Sequence, residues 1–190
     1  MYLGRVFLVF AGFLALIILV ILLFVGGGKK NTPTTPVKTL TSYANTDAQV
    51  VMTIDGAING DDTHRAIKVT VDKDSRELNV IQGYSSTVIQ SIPSYNTEDA
   101  YNVFLHAINL AGFSETRKSK TAGVDETGQC PLGQRINFRL IQNGSTLSNL
   151  WTTTCGTNTG NLGGNSQLLQ ELFEAQITNY QALVEDVNLD

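Results

Sequence analysis

An uninterrupted apolar segment near the N-terminus is the feature that most constrains how this chain can fold. Residues 6–25 read VFLVFAGFLALIILVILLFV and contain no charged or strongly polar side chain. Twenty residues of α-helix span about 30 Å, the thickness of the hydrocarbon core of a bilayer. Because backbone polar groups inside lipid must be hydrogen-bonded within the segment, such a run crosses the bilayer as a helix. We therefore predict a transmembrane helix over residues 6–25, within an N-terminal unit 1–25.

A cleaved signal peptide is the main alternative for this segment. Signal peptides usually have an apolar region of about 7–15 residues followed by an A-x-A cleavage pattern. Here the apolar region is longer and no such pattern follows it, which favours an uncleaved signal-anchor. Arg5 flanks one end and Lys29 and Lys30 flank the other, so the positive-inside rule does not settle the orientation.

The region after the anchor divides into a tether and one domain. Residues 26–40 begin with three glycines, contain Pro33 and Pro36, and show no hydrophobic period. Such a linker is flexible, with a reach of roughly 20 Å. Residues 41–190 are long enough for one domain with its own core.

The charge of this domain limits its partners. From residue 41 onward there are nine Lys and Arg residues and seventeen Asp and Glu residues, a net charge of −8. A domain this acidic is repelled by phosphate backbones and by anionic lipid headgroups. The composition therefore excludes nucleic acid as a partner.

Alternating apolar residues predict strands in the first half of the domain. The predicted strands are 49–55, 66–72 and 77–83, with 87–92 as a fourth strand or an extension of the third. Helical spacing then predicts a helix from Asn96 or Thr97 to Ala111. A second helix is predicted from Asn165 or Ser166 to Val187, and the weak helix formers Thr178 and Asn179 allow a break in it.

The strongest local signal is Asn143-Gly144 between two alternating runs, 135–142 and 145–154, which predicts a type I′ hairpin. If Asn143 and Gly144 form a two-residue turn, the numbers of any two residues that face each other across the hairpin add up to 287. Leu147 then faces Leu140, and Trp151 faces Ile136. We expect one buried face made of Ile136, Phe138, Leu140, Leu147 and Trp151. The predicted order is β-β-β-α-β-β-α, an α+β domain with an antiparallel sheet and two helices on one face.

Cys130 and Cys155 stand just outside the two ends of this hairpin, which brings them close together. We predict a disulfide bond between them, with two separate buried thiols as the alternative. Their spacing relative to His64 and His106 does not suggest a zinc site. Because disulfides persist outside the cytosol, the pair places the domain outside the cell membrane and the N-terminus in the cytoplasm.

No motif assigns a catalytic, cofactor-binding or metal-binding residue. The turn containing Asp55, Asn59, Asp61 and Asp62 fails the calcium-loop pattern at positions three and twelve, so we interpret it as a solvated turn. His64 and His106 are interpreted as surface histidines. The glycine-rich loop 156–164 lacks the lysine of a phosphate-binding loop.

These observations favour a single-pass, membrane-anchored accessory module, not an enzyme, that binds a protein or envelope component without a cofactor. The candidate partner surfaces are the basic run Arg117, Lys118 and Lys120 and the loop 156–165, because long loops often carry function. Two alternatives stay open. One is an envelope hydrolase that uses a pair of carboxylates, and the other is a structural subunit of a secretion or surface assembly.

Overall fold

A computed structural model describes residues 39–118, 125–156 and 159–190. The predicted transmembrane segment 6–25, residues 26–38 of the predicted linker, and Lys120 lie outside the described residues. In the part of the chain that is described, no helix is long and apolar enough to cross a bilayer.

In the described residues six strands form one antiparallel sheet. The sequence predicts the antiparallel sheet, but the predicted order contains five strands and leaves open whether 87–92 is separate. The six strands are β1 (Gln49–Asp55), β2 (Arg65–Val71), β3 (Ser75–Gln82), β4 (Thr87–Tyr95), β5 (Arg135–Gln142) and β6 (Ser145–Thr153). Their spatial order is β4-β3-β2-β1-β5-β6, and each neighbouring pair is antiparallel. β1 therefore lies inside the sheet between β2 and β5. β4 is a separate strand at one edge of the sheet.

The helical part follows the prediction with one difference. The helices are α1 (Glu98–Leu110), α2 (Ser166–Glu174) and α3 (Tyr180–Val184), and a short 3-10 turn, Leu40–Tyr43, precedes β1. The second predicted helix is divided: α2 ends at Glu174, and Asn179, which has a left-handed φ of 58° that does not continue a right-handed helix, stands directly before α3. The α+β class is confirmed, but the element order is β-β-β-β-α-β-β-α-α.

The two ends of α1 are closed by the residues that the sequence indicates. The Thr97 side chain accepts a hydrogen bond from the Ala100 N–H at 3.2 Å. At the other end Gly112 has a φ of 88°, and the Phe113 N–H donates to the Ile108 carbonyl at 3.0 Å. This is the Schellman arrangement, which glycine permits because it has no Cβ.

The hydrophobic core lies on one face of the sheet, which we call the helix face. Alternate residues of the inner strands point into it, and Phe173 of α2 sits at its centre with no exposed surface. Its ring contacts those of Phe104, Phe113 and Phe138, with centroid distances of 5.1, 6.3 and 5.9 Å. Phe173 thus joins α2 to both α1 and the sheet.

The hairpin turn is confirmed, but its predicted register is wrong beyond the first two residue pairs. Asn143 and Gly144 have φ values of 50° and 73°, as a type I′ turn requires. A bulge then shifts the pairing, so that Phe138 faces Leu150. A shift of one residue moves every later side chain to the opposite face. Leu147 is consequently 49% exposed, and Trp151 lies on the face opposite the helices.

The predicted disulfide is present. Cys130 is bonded to Cys155, and their Cα atoms are 5.4 Å apart. The bridge closes a segment with a sequence separation of 25 that contains the whole β5–β6 hairpin. Constraining a loop of this size in the unfolded chain stabilises the fold by about 3.5 kcal/mol in the chain-entropy description.

Stability should fall in alkaline solution because of Tyr101. Its side chain has no exposed surface, and its hydroxyl donates to the Ala48 carbonyl at 2.9 Å. Burial, assisted by the charge of Asp72, raises the pKa of Tyr101 above its ordinary value. Because the pKa of Tyr101 is raised on folding, its contribution to the free energy of unfolding is fully present below about pH 10, the ordinary tyrosine pKa. The contribution is lost at higher pH, where the tyrosine of the unfolded chain ionises first.

We therefore expect a Tyr101→Phe variant to lose less stability than the wild type between pH 9 and pH 11. At pH 7 the same variant should be about 1 kcal/mol less stable, because the hydrogen bond is missing. Urea unfolding at each pH measures both effects. Tyr95→Phe, which removes a hydroxyl from a side chain that is 93% exposed, is the control and should keep the wild-type slope. Equal slopes for Tyr101→Phe and the wild type would contradict the expectation.

Candidate functional site

The turn between β1 and β2 holds a buried histidine, which corrects the interpretation of His64 as a surface residue. His64 is 2% exposed. Its Nδ1 lies 3.0 Å from the Ala57 carbonyl oxygen, and its Nε2 lies 2.8 Å from Oδ1 of Asp55. The ring stacks on Tyr84 with centroids 4.2 Å apart. His64 thus folds the turn back onto the end of the sheet, whereas His106 is exposed as predicted.

Asp55 is shared between His64 and a buried arginine. Arg135 of β5 is 3% exposed, and its Nε donates to Oδ2 of Asp55 at 2.8 Å. The same guanidinium donates to the backbone carbonyls of Gly56 and Gln129. Both carboxylate oxygens of Asp55 therefore have a partner: Oδ1 contacts His64, and Oδ2 contacts Arg135. We call Asp55, His64 and Arg135 the Asp55 cluster.

The Asp55 cluster is suited to positioning and not to acid–base chemistry. A catalytic histidine needs one ring nitrogen that faces the nucleophile while the other is held by a carboxylate. Here both ring nitrogens of His64 already face oxygen acceptors, the Ala57 carbonyl and Asp55. No nitrogen is left to take a proton from a nucleophile.

A cavity of about 520 Å³ lies beside this cluster, on the face of the sheet opposite the helices. Its volume falls in the range of about 300–1,000 Å³ that is usual for small-molecule sites. The side chains that bring polar or aromatic groups to it include Thr53, Lys68, Tyr84, Glu126 and Arg139. We call this the polar-face cavity. The Asp55 cluster contributes Asp55 and His64 to its wall.

Three residues that line the polar-face cavity each carry one buried polar atom for which the described part of the chain offers no hydrogen-bond partner. These atoms are Oγ1 of Thr53, Nε of Arg139 and Oε2 of Glu126. The second oxygen of Glu126 is held by Nδ2 of Asn137 at 2.8 Å, which fixes the carboxylate in place. A buried polar atom without a partner costs about 1–3 kcal/mol, so three at one cavity indicate groups that a ligand would satisfy.

A second cavity of about 460 Å³, between α2, α3 and the end of the sheet, lacks this property. Its amide side chains are bonded to its carboxylates: Gln167 donates to Glu171 at 3.0 Å, and Gln170 donates to Glu174 at 2.8 Å. No buried unpartnered side-chain atom among the described residues belongs to its lining. We therefore assign the candidate binding site to the polar-face cavity.

The basic run that the sequence singles out lies elsewhere. Arg117 is half-buried and donates to the backbone carbonyl of Thr159 at 2.6 Å, so it holds the loop that follows β6. Lys118 is exposed, and Lys120 lies outside the described residues. Neither Arg117 nor Lys118 lines the polar-face cavity. Within the residues described, no group of three His, Cys, Asp or Glu side chains is placed to hold a metal ion.

Apart from Asp55 and His64, the residues that line the polar-face cavity are not predicted from the sequence, because each one fits the outward side of an amphipathic strand or a loop. Thr53 and Lys68 alternate with buried valines and isoleucines, which is the usual pattern of a solvated face. The antiparallel pairing that is predicted for the first two strands could have indicated that Thr53 lies near Lys68. In the structure these two residues are directly opposite each other. The position of Glu126 in a loop has no such signal.

Comparison with known proteins adds no assignment to this geometry: the chain matches no protein-family model and no curated protein sequence.

Proposed function

We propose that this chain is a single-pass membrane protein whose extracytoplasmic domain binds a polar component of the cell envelope in the polar-face cavity. Residues 6–25 would form the anchor, and residues 26–40 would allow the domain to reach away from the membrane. The disulfide between Cys130 and Cys155 supports the extracytoplasmic side, because such bonds are rarely kept in the cytosol.

The observation that carries the binding proposal is the set of three unpartnered buried atoms at one cavity, on Thr53, Glu126 and Arg139. A protein interior rarely leaves several such atoms together unless water or a ligand meets them. The carboxylate hydrolase is supported less well. Asp55 and Glu126 line the same cavity, but both oxygens of Asp55 are taken by His64 and Arg135. Of the two described carboxylates in this lining, Glu126 is the one that keeps an oxygen without a partner.

The side of the membrane is tested by labelling the cysteines in intact cells. The thiol reagent and the reductant are chosen so that neither crosses membranes. In unlysed cells we expect Cys130 and Cys155 to be labelled after reduction and not before it. A Cys130→Ser, Cys155→Ser double variant is the control and should remain unlabelled. Labelling that requires lysis would place the domain in the cytoplasm and contradict the proposed topology.

Binding is tested by sedimenting the detergent-solubilised full chain with the insoluble cell-wall fraction of its host. We expect the wild type to sediment and Arg139→Met to sediment less, by about tenfold in apparent affinity, since a hydrogen bond to a charged group is lost. Lys73→Met is the matched control, because Lys73 lies in the exposed turn between β2 and β3 at the opposite end of the sheet. Equal sedimentation of all three proteins would exclude the cavity as the binding site.

A further inference from the structure

We infer that the polar-face cavity takes an acidic saccharide, with the sugar carboxylate between Lys68 and Arg139. This inference rests on the proposed function, since it names the ligand class of the same site. It follows from three features of the cavity: its charge, its mixture of donors and acceptors, and its aromatic wall.

Two cations in the wall of the cavity favour an anionic group beside them, whereas the two carboxylates of the wall, Asp55 and Glu126, already accept hydrogen bonds from the protein. Lys68 lies opposite Thr53 and Arg139 lies opposite Val51, so the two cations flank β1 on either side. Among the described residues neither cation forms an ion pair with a carboxylate, although both side chains are half-buried. A partly buried cation without a counter-ion is costly, and an incoming carboxylate would remove that cost.

The unpartnered atoms favour hydroxyl groups beside the anion. Nε of Arg139 can only donate, Oε2 of ionised Glu126 can only accept, and Oγ1 of Thr53 can do both. A ligand that meets all three must offer donors and acceptors at close spacing. Sugar hydroxyl groups have this property because each one donates and accepts. Glu126, whose other oxygen accepts from Nδ2 of Asn137, keeps one acceptor oxygen for a hydroxyl group of the ligand.

Tyr84 supplies a flat apolar surface that is held in place. One face of its ring stacks on His64, and its hydroxyl donates to the Asn59 carbonyl at 3.0 Å and accepts from the Asn59 N–H at 3.2 Å. The side chain is nevertheless 53% exposed, and Ile81 and Val88 line the cavity with it. A fixed aromatic ring can cover the apolar C–H face of a pyranose while the hydroxyl groups point to the polar atoms.

The test compares two sugars that differ only in their carboxylates, α-1,4-linked trigalacturonate and neutral α-1,4-galactotriose. Binding is measured by titration calorimetry at pH 7 on the full chain in a detergent without a sugar headgroup. We expect trigalacturonate to bind at least about tenfold more tightly than galactotriose, because hydrogen bonds to a charged group are the stronger ones. Uridine monophosphate, an anion with an aromatic base, is the third probe and should bind more weakly than trigalacturonate.

Variants connect the binding to the cavity. Lys68→Met and Arg139→Met should each weaken trigalacturonate binding about tenfold or more, and Arg139→Lys, which keeps the charge, should recover part of the loss. Lys73→Met should bind as the wild type does. Emission from Trp151, which is 1% exposed, shows whether each variant is folded.

Four results would overturn the inference: equal affinity for the two sugars, tighter binding of uridine monophosphate than of trigalacturonate, wild-type affinity in the Lys68 and Arg139 variants, or no binding of any probe. The proposed function is judged separately by sedimentation with the cell-wall fraction. If Arg139→Met reduces sedimentation but trigalacturonate does not bind, the cavity remains the binding site and only the ligand class is wrong.

Discussion

Replacing Asp55 with alanine is expected to lower the free energy of unfolding by about 3 kcal/mol, because it leaves Arg135 buried without its counter-ion. Arg135 is 3% exposed and donates to Oδ2 of Asp55, and His64 loses its Nε2 partner in the same variant. We expect the lower end of the usual range for a broken buried pair, since the Asp55 side chain is itself 33% exposed.

The measurement is urea unfolding of the full chain in detergent, followed by the emission of Trp151, the single tryptophan. Asp55→Asn separates charge from volume. Its amide fills the same space and its oxygen can still accept from Arg135, but it carries no negative charge to pair with the buried guanidinium, so we expect a smaller loss than for Asp55→Ala that still exceeds about 1 kcal/mol. Asp62→Ala is the control, because Asp62 is exposed in the same turn, and it should stay within about 0.5 kcal/mol of the wild type. A loss below about 1 kcal/mol for Asp55→Ala would contradict this expectation, because it would show that Arg135 does not need Asp55 as its counter-ion.

The second large effect is expected at Phe173. A Phe173→Ala variant should be about 3–5 kcal/mol less stable than the wild type, since it loses buried apolar surface and leaves a cavity among the rings of Phe104, Phe113 and Phe138. α2 has only nine residues, too few to be stable alone, so its position depends on this side chain.

Two companion variants show whether packing is the cause. Phe173→Leu keeps most of the apolar volume and should cost roughly half as much as Phe173→Ala or less. Leu168→Ala alters a side chain of α2 that is 41% exposed and should cost about 1 kcal/mol or less. If Leu168→Ala were as damaging as Phe173→Ala, the burial of Phe173 would not be what fixes the position of α2, because alanine at either position favours the helix.

The hairpin shows where sequence reasoning succeeds and where it stops. Asn143-Gly144 predicts the turn, because few other residue pairs adopt two positive φ values. The bulge in β6, which lies opposite Leu140 and Ile141, has no comparable local signal in the sequence. Leu147, Leu150 and Trp151 are all apolar, so the pattern alone fits either of two faces. The structure buries Leu150 with the core and Trp151 on the other side of the sheet, and exposes Leu147.

The candidate site was less predictable than the fold. Asp55 and His64 were recognised as members of one polar turn, but the sequence offered no reason to bury them. Their burial depends on Arg135, which is 80 positions away from Asp55 and reaches it only because β5 pairs with β1. The basic run that begins at Arg117 is predicted as a partner surface because its charges are close together in the sequence. In the structure the Arg117 side chain binds the loop that follows β6.

The sequence by itself determined the features that depend on near neighbours: the strand and helix periods, the turn at Asn143, the Thr97 cap of α1, and the hairpin that brings Cys130 near Cys155. These follow from backbone preferences and side-chain alternation over a few residues. Only the tertiary structure decided the sheet order, the bulge in β6 and the meeting of Lys68, Glu126 and Arg139 at one cavity. Such features depend on contacts between segments that are far apart in the sequence. A buried polar group in one segment is paired with a group from another segment, and no local pattern links the two.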